Sequence, residues 1–464
     1  MTEILRRLDA AWLREARLSH LLAVLDGAGE ESRVVGGAVR NALLAEPIGE
    51  IDVATTALPA EVIRRAQAAG FKAVPTGIEH GTITVVVHGQ PFEVTTLRED
   101  VETFGRHAKV AFGRDWKQDA ERRDFTMNAL SAARDGAVYD YVGGLADVAA
   151  RRVRFIGDAA ARIAEDYLRI LRFFRFHAAY GEGALDPAGL AACIAGRAGL
   201  DQLSRERVRA ELLKLLLAKR AVPAIAAMTE AGLLDRILGG VPLLASHAKM
   251  GTLEATLGLA PDAMRRLAAL AVSVVEDAER LRERLRLTNA ESARCASMAD
   301  GWWHISSRLG EREGRVLLYR LGPGRYTDRV LLAWARSSVG AADQQWRSLA
   351  TLPSRWSAPV FPLKSADFIG RGIAPGPGLG AALTAAEEAW IAAGFPDDRA
   401  ALAALGNRRN ISRAFSRAAS RGSAKVSRRN ASRVCTWPAS AFAERRATSA
   451  GRPAVLVRRL ITAM

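Results

Sequence analysis

The spacing of hydrophobic and polar positions divides the 464-residue chain into three zones. Up to about Gly157, short apolar runs alternate with helical stretches. "SRVVGG", "EIDVAT", "FKAVPT", "GTITVVVHGQPFEVTTL", "VYDYV" and "RRVRFIG" read as strands, being β-branched or aromatic runs bounded by turn residues. "PAEVIRRAQAAG" reads as a helix between them, with Gly70 as its stop. From about Asp158 to Ala404, apolar residues recur at three-and-four spacing. "RVRAELLKLLLAKR" and "DAMRRLAALAVSVVEDAERLRERLRL" are examples. "GLDQLS", "GGVPLL", "LGPGRYT" and "IAPGPGLG" punctuate this zone, and no internal repeat is found. From about Gly406 the chain is rich in Arg, Ser and Ala. Its few large apolar residues cannot offset the entropy of ordering, so disorder is predicted. The expected domains are 1–157, 158–225 and 226–404, with an extension over 405–464.

Composition narrows the picture. The chain is 49% hydrophobic, which permits a large core over two to four domains of roughly 150 residues. No apolar run approaches the ~18 residues of a membrane helix. The N-terminal "MTEILRRLDAAWLREARLSH" is charged and amphipathic, with no signal core or cleavage site, so no export is expected. Cys193, Cys295 and Cys435 are far apart in sequence. They make neither a disulfide framework nor a zinc pattern, and they suit a reducing cytoplasm. The net charge is +16, but from Leu405 onward 14 Lys/Arg face Glu444 alone, so +13 belongs to the tail and +3 to the rest. The basic balance suggests an anionic partner yet mostly describes the tail.

The densest chemistry lies in "VVGGAVRNALLAEPIGEIDVATTALP", Val34 to Pro59. Glu50 and Asp52 are two apart on a predicted strand and so share a face. Paired carboxylates hold Mg²⁺ together with phosphate oxygens. Gly36 and Gly37 end the preceding strand, where a missing side chain lets the backbone approach phosphates. A helix starting near Ala38 would offer its N-terminal N–H groups to that anion. Arg40 adds a forked cation. Together these read as a site for a metal-bound triphosphate. No GxxxxGK[ST] is present, and "GPGLG" (Gly376 to Gly380) lacks the context of a dinucleotide site. It reads as a turn before the helix at "AALTAAEEAWIAAG".

A second cluster is "EDYLRILRFFRF", Glu165 to Phe176, read as one helix. Asp166, Arg169, Arg172 and Arg175 recur every three residues along it. One reading is a salt-bridged stripe. The other is base recognition. Cytosine and adenine each show an amino donor beside a ring-nitrogen acceptor, which an Asp/Arg pair complements. Uracil and guanine present a carbonyl beside an N–H and are mismatched to it.

"GGAVRNALL…EIDVATTALP", "RRDFTMNAL" (Arg122 to Leu130), "YDYVGG" (Tyr139 to Gly144) and "EDYLRILRFFRF" occur in an order that resembles the class II tRNA nucleotidyltransferase and bacterial poly(A) polymerase family. "LSRERVRAELLKLL" (Leu203 to Leu216) resembles its neck. "GPGLGAALTAAEEAWIAAGFP" resembles the C-terminal part of its bacterial members. The likeness spans about Arg33 to Ala404. It implies an α+β fold, with a mixed-sheet nucleotidyltransferase head over 1–157 and an all-α neck, body and tail. The body and tail would bind tRNA. Glu50 and Asp52 would be the catalytic metal ligands, with two Mg²⁺ ions. Gly36, Gly37 and Arg40 would meet the triphosphate. Arg122, Arg123 and Asp124 would face the nucleotide, with Asp124 on the ribose. Asp166 and Arg169 would read the base, with Arg172 and Arg175 beside them. The stretch from Leu97 to Glu121 resembles the loop that helps switch from C to A addition. Glu93 is either a third acid near the metals or an ordinary strand glutamate.

The implied reaction is attack of an RNA 3′-hydroxyl on the α-phosphorus of CTP or ATP, releasing pyrophosphate. The family usually has Asp where Glu50, Asn41 and Phe104 stand here. No HxxxHD is present, so His247 reads as structural. Three functions stay open: CCA addition to tRNA; poly(A) or partial CC or A addition; and RNA binding with weakened catalysis.

Overall fold

The computed structural model describes residues 6–104, 107–370, 372–398 and 402. The chain divides into two compact units, one reaching Trp356 and the other beginning at Ser357. The first unit opens with an α+β head. Its strands are β1 (Arg6–Arg7), β2 (Ser32–Val35), β3 (Asp52–Thr55), β4 (Lys72–Gly77), β5 (Thr82–Val87), β6 (Gln90–Thr96), β7 (Arg98–Phe104), β8 (His107–Phe112), β9 (Ser131–Ala132) and β10 (Ala137–Tyr139). Eight of them form one mixed sheet in the order β1-β10-β9-β2-β3-β6-β5-β4, and β7 pairs with β8 alone. Strand β3 runs antiparallel to β2 and parallel to β6.

The alternation of "TITVVV" explains how the sheet sits. Ile83, Val85 and Val87 are buried, while Thr82 and Thr84 face the other way. The buried face packs on α1 (Ala16–Leu25) and α3 (Pro59–Ala68) through Leu18, Leu22, Val34, Val53, Val62 and Val94. Gly70 ends the α3 segment with a positive φ of 77°, as its sequence predicts. Period two and the strand register turn Val35, Asp52, Glu93 and Thr84 onto the opposite face. That face carries the chemistry.

Helices α2 (Gly37–Leu43), α4 (Trp116–Glu121) and α5 (Gly144–Ala149) complete the head. The neck follows with α6 (Ala159–Glu165), α7 (Leu168–Tyr180), α8 (Pro187–Ala195) and α9 (Arg205–Leu216). Phe125 and Phe155 of the head pack on Phe173 of α7, with Phe155 stacked on Phe173 at 5.4 Å between ring centroids. "RRVRFIG" therefore forms no strand. It makes one bridge, Phe125 to Phe155, because its apolar residues pack on the neck helices rather than along a sheet edge.

Helices continue to Arg355. "DAMRRLAALAVSVVEDAERLRERLRL" is two helices, Ala263–Ala271 and Val275–Leu285. The β-branched Val272 and Val274 are extended, and the Asp277 carboxylate accepts from the Ser273 and Val274 N–H groups at 2.7 and 3.1 Å, capping the second helix. "LGPG" kinks the helix Glu311–Arg336 at Gly322, where φ is 74° and Pro323 resumes the helix. In the second unit Phe368 packs on Ala382 and Ala386. Gly376 there turns into the helix Pro377–Ala392, as "GPGLG" predicts. The extension over 405–464 and the Phe104 side chain lie outside the described residues. Among the described residues no helix is long and apolar enough to cross a membrane.

His247 is 2% exposed, and its Nδ1 lies 3.4 Å from the Arg266 carbonyl. Burial pushes its pKa down from 6.5 to about 4. The unfolded chain thus binds a proton that the folded chain refuses. Stability carried by neutral His247 is present above pH 6.5 and is lost as pH falls toward 4. This one group should cost on the order of 3 kcal/mol across that window. His247→Asn should therefore show a shallower loss of stability between pH 6.5 and 4 in urea unfolding. Equal pH slopes for the two proteins would show that His247 titrates freely.

Candidate functional site

Strand β3 begins at Asp52, which lies in register with Val35 of β2 and Glu93 of β6. Neighbouring strands are about 4.8 Å apart, so Asp52 and Glu93 stand side by side on the open face. Glu50 lies just before the strand rather than within it. The Asp52 carboxyl is pushed above its ordinary range, first by desolvation and then by repulsion from Glu93 and Glu50, with Arg123 opposing. The donors are hard carboxylate oxygens, and a divalent cation would relieve their repulsion, so the set fits a hard divalent cation. Among the described residues no three acids or imidazoles already converge as a metal cage. Phosphate oxygens and water would have to complete the shell.

The glycine turn borders these acids. Gly36 has φ 69° and ψ −118° and its N–H donates to the Leu130 carbonyl at 3.0 Å. A Cβ there would sit in the left-handed region and 3.2 Å from Arg123 Nη1. Helix α2 starts at Gly37, one residue before the expected Ala38, and spans only seven residues. Arg40 departs from expectation. It is buried and donates to Asn41 Oδ1, to Tyr180 Oη at 2.9 Å and to Asn128 Oδ1. Its guanidinium stacks on the Tyr180 ring at 3.9 Å. Its fork therefore points into the head–neck junction behind the turn, not out to a ligand. Asn41 suits that place, because its amide accepts from Arg40 and donates to the Pro47 carbonyl at 2.7 Å. A carboxylate has no donor for the second bond.

Helix α4 is held on the open face by Arg33, whose guanidinium lies 4.1 Å from the Trp116 ring and 3.5 Å from that of Tyr139. Arg122 and Arg123 follow α4 and share one buried carboxylate, Asp119. Asp124 is also committed. Its Oδ1 accepts from the Phe125 N–H and from Asn128 Nδ2 at 2.8 and 2.9 Å, and its Oδ2 accepts from Arg172. Burial alone would raise the Asp124 pKa, but Arg172 and these hydrogen bonds outweigh it and hold it low. A ribose would find no free lone pair on it in this arrangement. Arg175 pairs with Glu211 of α9. Five arginines (40, 122, 123, 172 and 175) thus face three carboxylates (119, 124 and 211). With Glu50, Asp52 and Glu93 the acids number six against these five arginines, so a polyphosphate would need a cation between it and the acids.

"EDYLRILRFFRF" is not one helix. Helix α6 stops at Glu165, Asp166 is extended with φ −155°, and α7 starts at Leu168. Asp166 Oδ1 accepts from the Leu168 N–H at 3.1 Å, an Asp doing the local capping that such residues favour. Its Oδ2 accepts from Arg207 of α9 at 2.7 Å. Arg169 pairs with Glu165 and donates to the Arg162 carbonyl at 2.8 Å. Asp166 and Arg169 are thus brought to one helix start, but each holds a different partner. Asn128, Tyr180, Glu165 and Arg207 were missed as site residues. Asn128, Glu165 and Arg207 lie within the quoted motifs and Tyr180 just beyond one, but nothing in one-dimensional spacing reports a cross-element partner.

The comparisons with known proteins agree with this architecture. Residues 32–154 match the family described as Poly A polymerase head domain, and residues 184–246 match "Probable RNA and SrmB- binding site of polymerase A". The chain is 36% identical over 374 residues to the mitochondrial CCA tRNA nucleotidyltransferase 1 of Mus musculus, covering 79% of this chain and 84% of that one. It is 34% identical to the CCA-adding enzyme of Limosilactobacillus fermentum, covering 78% and 89%. A solved structure of the Bacillus stearothermophilus CCA-adding enzyme in complex with CTP superposes with a TM-score of 0.67 at 27% identity, covering 86% and 98%. The head family and these relatives make the chain a nucleotidyltransferase. The chain belongs to the CCA tRNA nucleotidyltransferase and poly(A) polymerase family.

The raised Asp52 pKa has a sign that can be tested. A group whose folded pKa lies above its unfolded value destabilises the fold once ionised, so its contribution is lost as pH rises. Asp52→Asn should raise the melting temperature of the metal-free protein at pH 7, and the gain should vanish where Asp52 is protonated. Mg²⁺ should stabilise the parent protein more than the variant. An unchanged or lower melting temperature at pH 7 would mean that the acids do not strain one another.

Proposed function

We propose that this chain adds C and A nucleotides to the 3′ end of tRNA, from CTP and ATP, without a nucleic-acid template. The observation that carries the reading is one ordered constellation: adjacent acids, a glycine turn, an arginine-rich wall and an Asp166/Arg169 helix start. Relatives over 30% identical across most of the chain, named as CCA-adding enzymes, support it.

Nucleotidyltransferases of this kind generally use a divalent metal. We assign two Mg²⁺ ions, held by Glu50 and Asp52, with Glu93 alongside. When bound, they would lower the pKa of the 3′-hydroxyl and balance charge developing on the phosphate. The chain's own residues do the rest. The Gly36–Gly37 turn lets phosphates approach the backbone, with Arg123 at its rim. Arg40 supports the turn from behind. Asp124 and Arg172 fix helix α7 against the head. Asp166 and Arg169 exchange Arg207 and Glu165 for the base. Asp166 accepts from the amine of C or A, and Arg169 donates to the ring nitrogen. The 3′-oxygen forms its bond to the α-phosphorus as the bond to pyrophosphate breaks, and the hydroxyl proton leaves to solvent. We place the enzyme in the cytoplasm from its thiol usage; its mouse relative is mitochondrial.

The head-family description favours a second reading, poly(A) addition. The assay that separates them uses tRNA lacking its CCA end, with CTP and ATP singly and together. Addition should stop after three nucleotides, should vanish on chelation and should return with Mg²⁺. Long A tracts would favour the second reading, and no incorporation would overturn both.

Base selection gives a sharper check. Asp166→Ala deletes the acceptor that attracts the amine of C or A and repels the carbonyl of U or G. Incorporation of UTP or GTP relative to CTP and ATP should rise roughly tenfold to a hundredfold. Equal slowing with all four nucleotides would reduce Asp166 to a helix cap that holds Arg207.

A further inference from the structure

The strand order points to where the RNA end is seated. In nucleotidyl transfer the attacking and leaving oxygens lie roughly in line across the α-phosphorus. On the proposed function, the leaving pyrophosphate lies at the Gly36–Gly37 turn, which follows β2. The α-phosphate then lies over Asp52 of β3. The next strands on that line are β6, β5 and β4. The attacking hydroxyl must therefore come in over β6, and the nucleotide that carries it must rest on β5 and β4.

The open face there has suitable chemistry. Thr84 of β5 is in register with Glu93, and Thr82 with Thr95. The Thr84 and Thr76 hydroxyls lie 2.8 Å apart, and those of Thr82 and Thr95 3.1 Å apart. Lys72 of β4 pairs with Val86, two residues beyond Thr84, so it shares this face, and it is exposed. Strand spacing puts Thr84 about 10 Å from Asp52 across the sheet. Threonine is common on any half-exposed strand, so the hydroxyls alone mean little. Their place on the one line left for the attacking group singles them out. Hydroxyls and a lysine are phosphate- and ribose-binding groups.

We propose that the face of β4 and β5 carrying Thr76, Thr84 and Lys72 seats the sugar–phosphate of the RNA's 3′-terminal nucleotide. The site takes RNA, while the glycine turn and the Asp166/Arg169 pair take the nucleoside triphosphate. The inference rests on the proposed function and adds the location of its second substrate.

The test is the double variant Lys72→Ala/Thr84→Val, which keeps β propensity and removes one charge and one hydroxyl. The KM for tRNA should rise about tenfold, and the salt dependence of tRNA binding should fall by about one unit of slope. The KM for CTP should stay within about twofold, since no triphosphate group is touched. The melting temperature should match that of the parent protein. A tRNA KM and salt slope unchanged from the parent would overturn the proposal. So would an equal rise in both KM values, because the face would then serve the whole site. If the parent protein itself adds no nucleotide, the functional reading fails instead, and parent and variant binding of tRNA still tests the seat.

Discussion

The structure depends on one electrostatic conflict held in place by backbone pairing. The β2–β3–β6 register fixes Asp52 beside Glu93, with Glu50 close enough to add repulsion. Folding alone does not favour three acids at one sheet end. The hydrogen-bond ladder and the apolar face beneath enforce it, through Val34, Val53 and Val94, all 0–1% exposed. Buried packing on one face thus sustains unfavourable charge on the other, and that charge is what a divalent cation can use.

The arginine wall divides by exposure into fixed and exchangeable parts. Asp124 and Arg172 form a pair whose acid is nearly enclosed. Removing one partner from such a pair costs about 3–5 kcal/mol, so it stays made and fastens α7 to the head. The Asp166–Arg207 pair is more open, with side chains 28% and 26% exposed. Both of its members reach solvent, so it opens at less cost than a pair whose acid is 9% exposed. The same reasoning explains why Arg40 is a brace. Its donors are spent on Asn41, Asn128 and Tyr180, beyond reach of solvent. It joins the glycine turn to Tyr180 at the end of α7, tying the head to the neck.

Much was legible in sequence. The period-two pattern of "TITVVV", the Gly36–Gly37 turn, the Glu50/Asp52 spacing and the helical periodicity after Asp158 are local signals, set by backbone sterics and side-chain period. They sufficed for the α+β head, the helical remainder and the family. Local signals failed where a residue's partner lies elsewhere in the chain. Asp166 reads as a helical residue by spacing, yet it is extended and its carboxylate accepts from the Leu168 N–H and from Arg207. "RRVRFIG" reads as a strand, yet Phe155 stacks on Phe173.

Residue identity and short-range order, then, were determined by the sequence: which carboxylates, which glycines and which helices exist, and in what order. The tertiary structure alone decided which of those groups face outward. It turned Arg40 inward, filled the lone pairs of Asp124, set Glu93 beside Asp52 and laid Thr84 and Lys72 on the same face. The physical reason is that burial and pairing energies depend on distance in space, and strands far apart in sequence become neighbours about 4.8 Å apart only once the sheet has formed.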